Sequence, residues 1–441
     1  MTIPAAHVNR FTYHFSHIDN LAGLISNGFL ATNHELFPRT HRSIAASSIQ
    51  QRRSEMQVTC GPKGVVHDYV PLYFGSLSPM LLSVLNAKNV DQQDIIYFEF
   101  PIELVNRCDV VFTSASANTK IPPTFFSSPE DLKLLDWGAI DSLKWGNPDD
   151  DYRHRRMAEM LVYQHLPVTA AARCVVWNEN IKNRVLAIVG SSPFPEICYE
   201  SRLRRHFYNN IELNDNSSLV IGPKGIREIF ENTYNCVVQS SGTEISEEPE
   251  FETMAQLLRG LRENFGCISH TAELIELKSE NGVHKLTVDK HTKQVVEKLL
   301  KLPDFRDFDH RDKNIVELAA YLHDIGKGPR ARWDRYGGLQ KVDPNHPVGA
   351  MPMIADILTK NIRVIRSSDA RSLIKLVCYH DLVGDVLGRN RDRRQIIEIA
   401  ENISDLKMLF ALGKADATSL SERWWDQTAA DELYQYCLEQ I

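Results

Sequence analysis

The segment Leu322-His-Asp-Ile-Gly-Lys327 places an imidazole and a carboxylate side by side within an apolar run, with His291, His346, His380 and Asp416 to either side along the chain. Four separate helical stretches each align one such group with apolar residues: His291 with Val295 and Leu299; His323 with Val316, Ala319 and Ala320; His380 with Leu373, Leu376 and Val377; Asp416 with Leu409, Leu412 and Gly413. Spacings of three or four keep side chains on one helix face. Burying an unpaired polar group costs roughly 2–7 kcal/mol, and a charge more. Any one of these positions alone reads as a satisfied core residue. Four together make sense if they converge on a cation. Mixed imidazole and carboxylate ligands suit manganese, iron, cobalt, nickel, zinc or magnesium, and the lack of thiolates argues against a structural zinc site. A cation held this way would polarise a phosphate and lower the pKa of a bound water.

A second set of residues lies near the N-terminus. Tyr13-His-Phe-Ser-His-Ile-Asp-Asn-Leu21 puts His14 and Ser16 two apart at a strand end, so that both can reach one ligand. The helix start beyond offers N–H groups to an anion. A buried histidine followed by a helix cap explains the same residues. Ile49-Gln-Gln-Arg-Arg53 presents paired arginines, Val66-His-Asp-Tyr-Val-Pro-Leu-Tyr-Phe74 is an aromatic strand followed by Ser78-Pro-Met-Leu81, and Arg155-Arg-Met-Ala-Glu-Met-Leu-Val-Tyr163 buries one acid, Glu159, among apolar neighbours. That acid reads equally as a salt-bridge partner. Ser201-Arg-Leu-Arg-Arg-His-Phe-Tyr208 interleaves cations with aromatics, either to neutralise phosphates and stack bases or as a solvated terminal strand.

The elements that must position these groups change character along the chain. Phe11–Ser16, Val65–Phe74, Ile95–Phe100, Val110–Thr113 and Cys174–Trp177 read as strands, and His17–Asn27 as a helix stopped by Gly28. Residues 1–210 therefore form an α+β domain, 211–250 a connecting segment with its clearest linker at Ser240–Glu250, and 251–441 an all-α domain. Such a division suits 441 residues, at about 150 per domain. A net charge of −7 excludes a surface that is wholly a polyanion clamp but not a local basic groove. No apolar run approaches the ~18 residues of a membrane span, and the N-terminus does not read as a signal peptide. Eight scattered cysteines without a Cys-x-x-Cys pair fit free thiols in a reducing cytoplasm. Gly-Pro-Lys-Gly occurs at 61–64 and 222–225 without the Walker spacing, so a P-loop is not supported.

Two family resemblances unite these pieces. Val283-His-Lys-Leu-Thr-Val-Asp-Lys-His-Thr292, Leu318-Ala-Ala-Tyr-Leu-His-Asp-Ile-Gly-Lys327 and Leu409-Phe-Ala-Leu-Gly-Lys-Ala-Asp416 resemble the HD superfamily of metal-dependent phosphohydrolases over roughly 252–425. The resemblance implies His291, His323, Asp324 and Asp416 as the core metal set, His346 and His380 as additional ligands of two-metal members, and Lys327 near a substrate phosphate. The ordered elements of residues 8–210, with Leu134-Leu-Asp-Trp-Gly-Ala-Ile140 between them, resemble the DarT family of ADP-ribosyltransferase toxins. That resemblance implies NAD as donor and a base of single-stranded DNA as acceptor, with RNA as the alternative, and a macrodomain-type antitoxin as partner. Breaking the nicotinamide–ribose bond builds positive charge on the ribose, as in glycoside cleavage. Glu159 would stabilise that charge and Arg53 would orient the donor phosphates or the acceptor. His14, Ser16 and Asn20 would position NAD, with Tyr73 lining the nicotinamide side. The family commonly shows His-x-Thr where this chain has His14-Phe-Ser16. The rival reading makes metal-dependent hydrolysis the main activity and the N-terminal domain a recognition module.

Overall fold

The computed structural model describes residues 2–42, 47–119, 121–143, 149–199, 206–209, 217–240, 249–280 and 286–441. The chain divides into two compact units, Met1–Gly222 and Pro223–Ile441.

The first unit is built on eight strands: β1 (Phe11–His17), β2 (Tyr69–Tyr73), β3 (Ile95–Pro101), β4 (Val110–Thr113), β5 (Phe125–Phe126), β6 (Glu159–Tyr163), β7 (Arg173–Val175) and β8 (Glu196–Cys198). They lie in the order β8-β7-β3-β1-β2-β6-β4-β5, antiparallel except for β7 with β8. Ile95 to Phe100 is buried on both faces, as a run rich in aromatic and β-branched residues should be. Phe98 and Phe100 meet Phe29 edge-on at 5.0 and 5.4 Å, and each such buried ring contributes about 1.5–3 kcal/mol. Register places Arg173 opposite Glu99, Glu99 opposite Tyr13, Tyr13 opposite Tyr73, and Tyr73 opposite Glu159. Directly opposed residues share a sheet face, so polar side chains form a row across five strands. β1 and β2 are joined at that one pair, Tyr13 with Tyr73. It is a seam between two four-stranded halves.

The expected strand 65–74 starts only at Tyr69, because Val66–Asp68 coils into a 3-10 turn closed by the Asp68 carboxylate accepting from the Val65 N–H. The expected helix 17–27 divides into a 3-10 turn, Ile18–Asn20, and a helix, Leu21–Asn27. Gly28 ends it at φ +69°, where an added Cβ would stand 2.7 Å from the Leu166 carbonyl oxygen.

The second unit is predominantly helical. It uses α1 (Pro223–Ser240), α2 (Val288–Lys301), α3 (His310–Leu322), α4 (Ser367–Cys378) and α5 (Ile403–Leu420). α2 packs on α3 and α5, α3 on α4, and α4 on α1. Every residue of α3 from Ile315 to Leu322 is buried, so it is the central helix. Asp309 caps α3 by accepting from the Asp312 N–H at 2.8 Å, and Asn402 caps α5 by accepting from Asp405 N–H at 2.9 Å. Two short parallel strand pairs interrupt the helices: Phe251–Thr253 with Ile362–Val364, and Lys278–Ser279 with Leu339–Gln340. The connecting segment expected at 211–250 needs correction. Residues 223–240 form α1, whose Ile226, Phe230, Thr233 and Val237 are buried, so this stretch belongs to the second unit. Its 3.6-residue periodicity outweighs the turn formers flanking it. Within the expected linker, residues 241–248 lie outside the described residues.

Candidate active site and metal centre

Glu159 opens β6 and is fully buried. Its Oε1 accepts from Arg53 Nη1 at 2.9 Å and from the Ala117 N–H at 2.9 Å, and its Oε2 accepts from Arg53 Nη2 at 3.0 Å. This parallel, two-bond fork is the geometry in which guanidinium and carboxylate bind most strongly. Arg53 itself is 8% exposed and comes from the helix Ser47–Glu55. Burial opposes its charge, but the Glu159 carboxylate more than compensates and raises its pKa. The Glu159 N–H donates to Thr113 Oγ1 at 3.1 Å, fixing the strand end. Arg52 donates to the Asn118 carbonyl at 3.0 Å, so the turn holding Ala117 is tied on both sides. Tyr73 lies opposite Glu159; burial first, then the glutamate charge, pushes its phenol upward, leaving it a neutral O–H donor.

At the seam, side chains replace backbone pairing. His14 Nδ1 donates to the Pro71 carbonyl at 2.8 Å, and burial lowers the ring's pKa despite that bond, which leaves a neutral imidazole. His14 and Ser16 share a face of β1, as alternation requires. Ser16 Oγ accepts from Asn20 Nδ2 at 3.2 Å. Asn20 also donates to the Arg42 carbonyl at 3.0 Å and accepts from the Arg42 N–H at 2.9 Å. The Arg42 guanidinium pairs with Asp19 at 3.0 Å and is 38% exposed. The Arg42 main chain is thereby tied to Asn20, and its guanidinium to Asp19. The adjacent helix start is less open to an anion than its sequence suggests, because His17 Nδ1 accepts the Asp19 N–H at 3.1 Å.

In the second unit, four imidazoles turn Nε2 toward common ground. Nδ1 of His323, His380 and His346 bonds the carbonyls of Ala320, Val377 and Asp343 at 2.8, 2.8 and 2.9 Å. His291 Nδ1 meets Ser419 Oγ at 3.3 Å. Anchoring one ring nitrogen fixes the tautomer and orients the other, as metal-binding histidines require. His291 Nε2 lies 3.1 Å from Asp416 Oδ1 and 3.6 Å from Asp324 Oδ2, and His323 Nε2 lies 3.4 Å from Asp324 Oδ2. The other oxygen of Asp324 is 3.3 Å from His346 Nε2, which is 3.1 Å from His380 Nε2. Asp324 therefore faces two ligand groups at once: His291 and His323 on one side, His346 and His380 on the other. Asp381, 3.2 Å from His380 Nε2, forms a further group with His380 and Asp416.

The electrostatics are those of a cation site. Burial opposes ionisation of Asp324, yet Lys327 at 2.6 Å and the imidazoles hold its pKa well below the carboxylate range. Asp416 falls to about 2 against burial, through His291 and His323. His380 rises to about 9, burial being outweighed by Asp381, Asp324 and Asp416. His323 Nε2 is buried without a partner in hydrogen-bonding geometry. An orphaned nitrogen facing carboxylates fits a divalent cation bound by nitrogen and oxygen. Gly326 sets the spacing: a Cβ there would lie 1.9 Å from the His346 carbonyl oxygen, so only glycine lets the two ligand segments approach.

Residues 13–208 match the family model described as ssDNA thymidine ADP-ribosyltransferase, DarT. A DNA ADP-ribosyl transferase of Thermus sp. (strain 2.9) is 32% identical over 203 residues, which cover 44% of this chain and 94% of that relative. The chain belongs to the DarT family. A DNA ADP-ribosyl transferase of Thermus aquaticus is 31% identical over 201 residues, 44% of this chain and 87% of that relative. A solved structure of Thermus sp. 2.9 DarT in complex with ADP-ribosylated ssDNA aligns at 31% identity and a TM-score of 0.40, covering 45% of this chain and 97% of that one. Residues 288–406 match the HD domain model.

Within the DarT region, the six residues singled out from sequence form two hydrogen-bonded sets, Arg53 with Glu159 beside Tyr73, and Ser16 with Asn20 next to His14 at the seam. All six residues expected as metal ligands come together in the second unit, five of them within the HD match and Asp416 beyond its end. Sequence reading missed Asp381, whose only signal was adjacency to His380, and Arg42, whose place depends on a long-range bond to Asn20. It also missed the Ala117 N–H, a backbone donor that no residue type announces. The cationic stretch 201–208 turns out differently from the base-stacking expectation: His206, Phe207 and Tyr208 are buried, and residues 201–205 lie outside the described residues. His206 instead donates to Glu99 at 2.9 Å.

Proposed function

We propose that the DarT-family unit transfers ADP-ribose from NAD to a base of single-stranded DNA, thymidine by the family's description, and that Glu159 is its catalytic carboxylate. The buried Glu159, gripped by Arg53 and the Ala117 N–H and facing Tyr73, carries the reading. As nicotinamide leaves C1′ of the ribose, positive charge develops there, and a rigidly held carboxylate stabilises it without reorganising. The base nitrogen bonds to C1′ and its proton passes to Glu159. Arg53 orients the acceptor or the donor phosphates. His14, Ser16 and Asn20 position NAD, with Tyr73 along the nicotinamide. Serine in place of the family's usual threonine keeps the hydroxyl and removes a methyl.

Such a modification makes the protein a toxin acting in the cytoplasm and restrained by a macrodomain-type antitoxin. Among the described residues no helix is long and apolar enough to cross a membrane. His291, His323, Asp324 and Asp416 would hold one divalent cation, and His346 and His380, with Asp381 beside His380, would complete a second site with Asp324. A cation bound there would supply Lewis-acid activation of a phosphoryl group and of water. The deciding experiment is mass spectrometry of oligonucleotides incubated with the purified protein and NAD. The expected product is single-stranded DNA heavier by one ADP-ribose, on thymidine. Modification of RNA alone, or none of either, rejects the reading.

A further inference from the structure

The chain between two ligands of the bridged cluster, residues 325–345, carries five cations against two acids, in a protein whose net charge is −7. Both ends are fixed at the cluster, since His346 Nε2 stands 3.3 Å from Asp324 Oδ1. The interior is rigidly built. Trp333 is 4% exposed and its indole donates to the Lys327 carbonyl at 2.6 Å. Arg332 lies over that ring, 4.6 Å from its centroid, and pairs with Asp343 at 2.7 Å. Arg330 and Arg335 are exposed, and Arg335 and Lys341 lie 4.8 and 5.2 Å from the centroid of the partly exposed Tyr336 ring.

We propose that this segment is a docking surface for a single strand of nucleic acid, belonging to the second unit and additional to the DarT site. The cations continue beyond the cluster. A free nucleotide has phosphates at one end and needs only Lys327 beside Asp324, whereas Arg330 and Arg335 lie three and eight residues farther along and suit phosphates that follow one another. A partly exposed ring beside cations is the pairing of aromatic and charge that single-strand binders use. The segment thus delivers a phosphodiester strand to the cluster.

The test uses the full-length protein and a 20-nucleotide single strand carrying 5-bromodeoxyuridine, photocrosslinked and mapped by peptide mass spectrometry. Crosslinks are expected within 325–345 as well as within 13–208. Arg330→Glu combined with Arg335→Glu should reduce the former at least about tenfold. Arg330→Gln with Arg335→Gln, a milder change, should reduce them less. Crosslinks in 13–208, NAD-dependent transfer and metal content should be unchanged in both variants, which separates this inference from the DarT reading. Crosslinks confined to 13–208 overturn it, as do crosslinks in 325–345 that survive charge reversal. Equal competition by a deoxynucleoside monophosphate at matched phosphate concentration also overturns it.

Discussion

The two sites handle buried charge in opposite ways. Around Glu159 the protein completes its own electrostatics: a bidentate arginine and a backbone N–H satisfy the carboxylate. Around Asp324, four imidazoles and three carboxylates crowd together, and the buried His323 Nε2 has no partner in hydrogen-bonding geometry. The first arrangement is preorganised by the chain alone. The second leaves a buried imidazole nitrogen among carboxylates, a setting that a bound cation would complete. Folding and ligand binding should therefore be nearly independent in the DarT unit and coupled in the HD unit.

The largest effect that could break this contrast is chemical. Glu159→Gln keeps shape and burial but removes the charge, and loss of one preorganised electrostatic group typically costs ~10²–10³ in rate. Transfer measured by mass spectrometry should fall at least that far in a protein that still folds, its melting temperature lowered because the buried Arg53 charge loses its partner. Undiminished turnover would remove Glu159 from the mechanism.

Arg53→Ala probes the self-contained half of the contrast. It leaves a buried carboxylate without its partner, and breaking a buried pair costs about 3–5 kcal/mol. Denaturant unfolding should show that loss in the DarT unit, and growth inhibition on expression should be relieved. Full toxicity at equal expression would place the damage elsewhere in the chain.

The cation-dependent half is tested by replacing His323 and Asp324 together with alanine. Elemental analysis should show the metal gone. A cation at 100 times its Kd stabilises by about 2.7 kcal/mol, so chelation should lower the wild-type melting temperature but not the variant's. NAD-dependent transfer should persist; its loss in a folded variant would show the sites are coupled. Gly326→Ala is the finer version. Its Cβ collides with the His346 carbonyl, so metal content should fall from two ions toward one. Two retained ions would mean the His346 segment can yield.

The smallest expected effect concerns pH. Burial opposes ionisation of Glu99, but hydrogen bonds and charge from His206 and Arg173 prevail and hold its pKa below the usual range. A depressed folded value contributes stability that is complete above the unfolded glutamate pKa of about 4.3 and is lost as the pH falls below that toward the folded value. The stability gap between wild type and Glu99→Gln should thus be wide at pH 7 and narrow at pH 3. A constant gap would mean Glu99 acts through packing rather than charge.

What the sequence determined by itself is local. Adjacent His323 and Asp324 and residues recurring every three or four positions assign side chains to a helix face, because helix geometry depends only on near neighbours. Alternation likewise puts His14 and Ser16 together. Boundaries were less legible: helix 223–240 hides behind flanking turn formers, although its apolar spacing is regular. The tertiary structure alone decided which groups meet. Arg53 reaches Glu159 across 106 residues, Ala117 lends a main-chain N–H that every residue but proline possesses, and Asp324 faces two ligand groups because Gly326 admits the His346 segment. Such encounters depend on long-range packing and register, and no spacing along the chain encodes them.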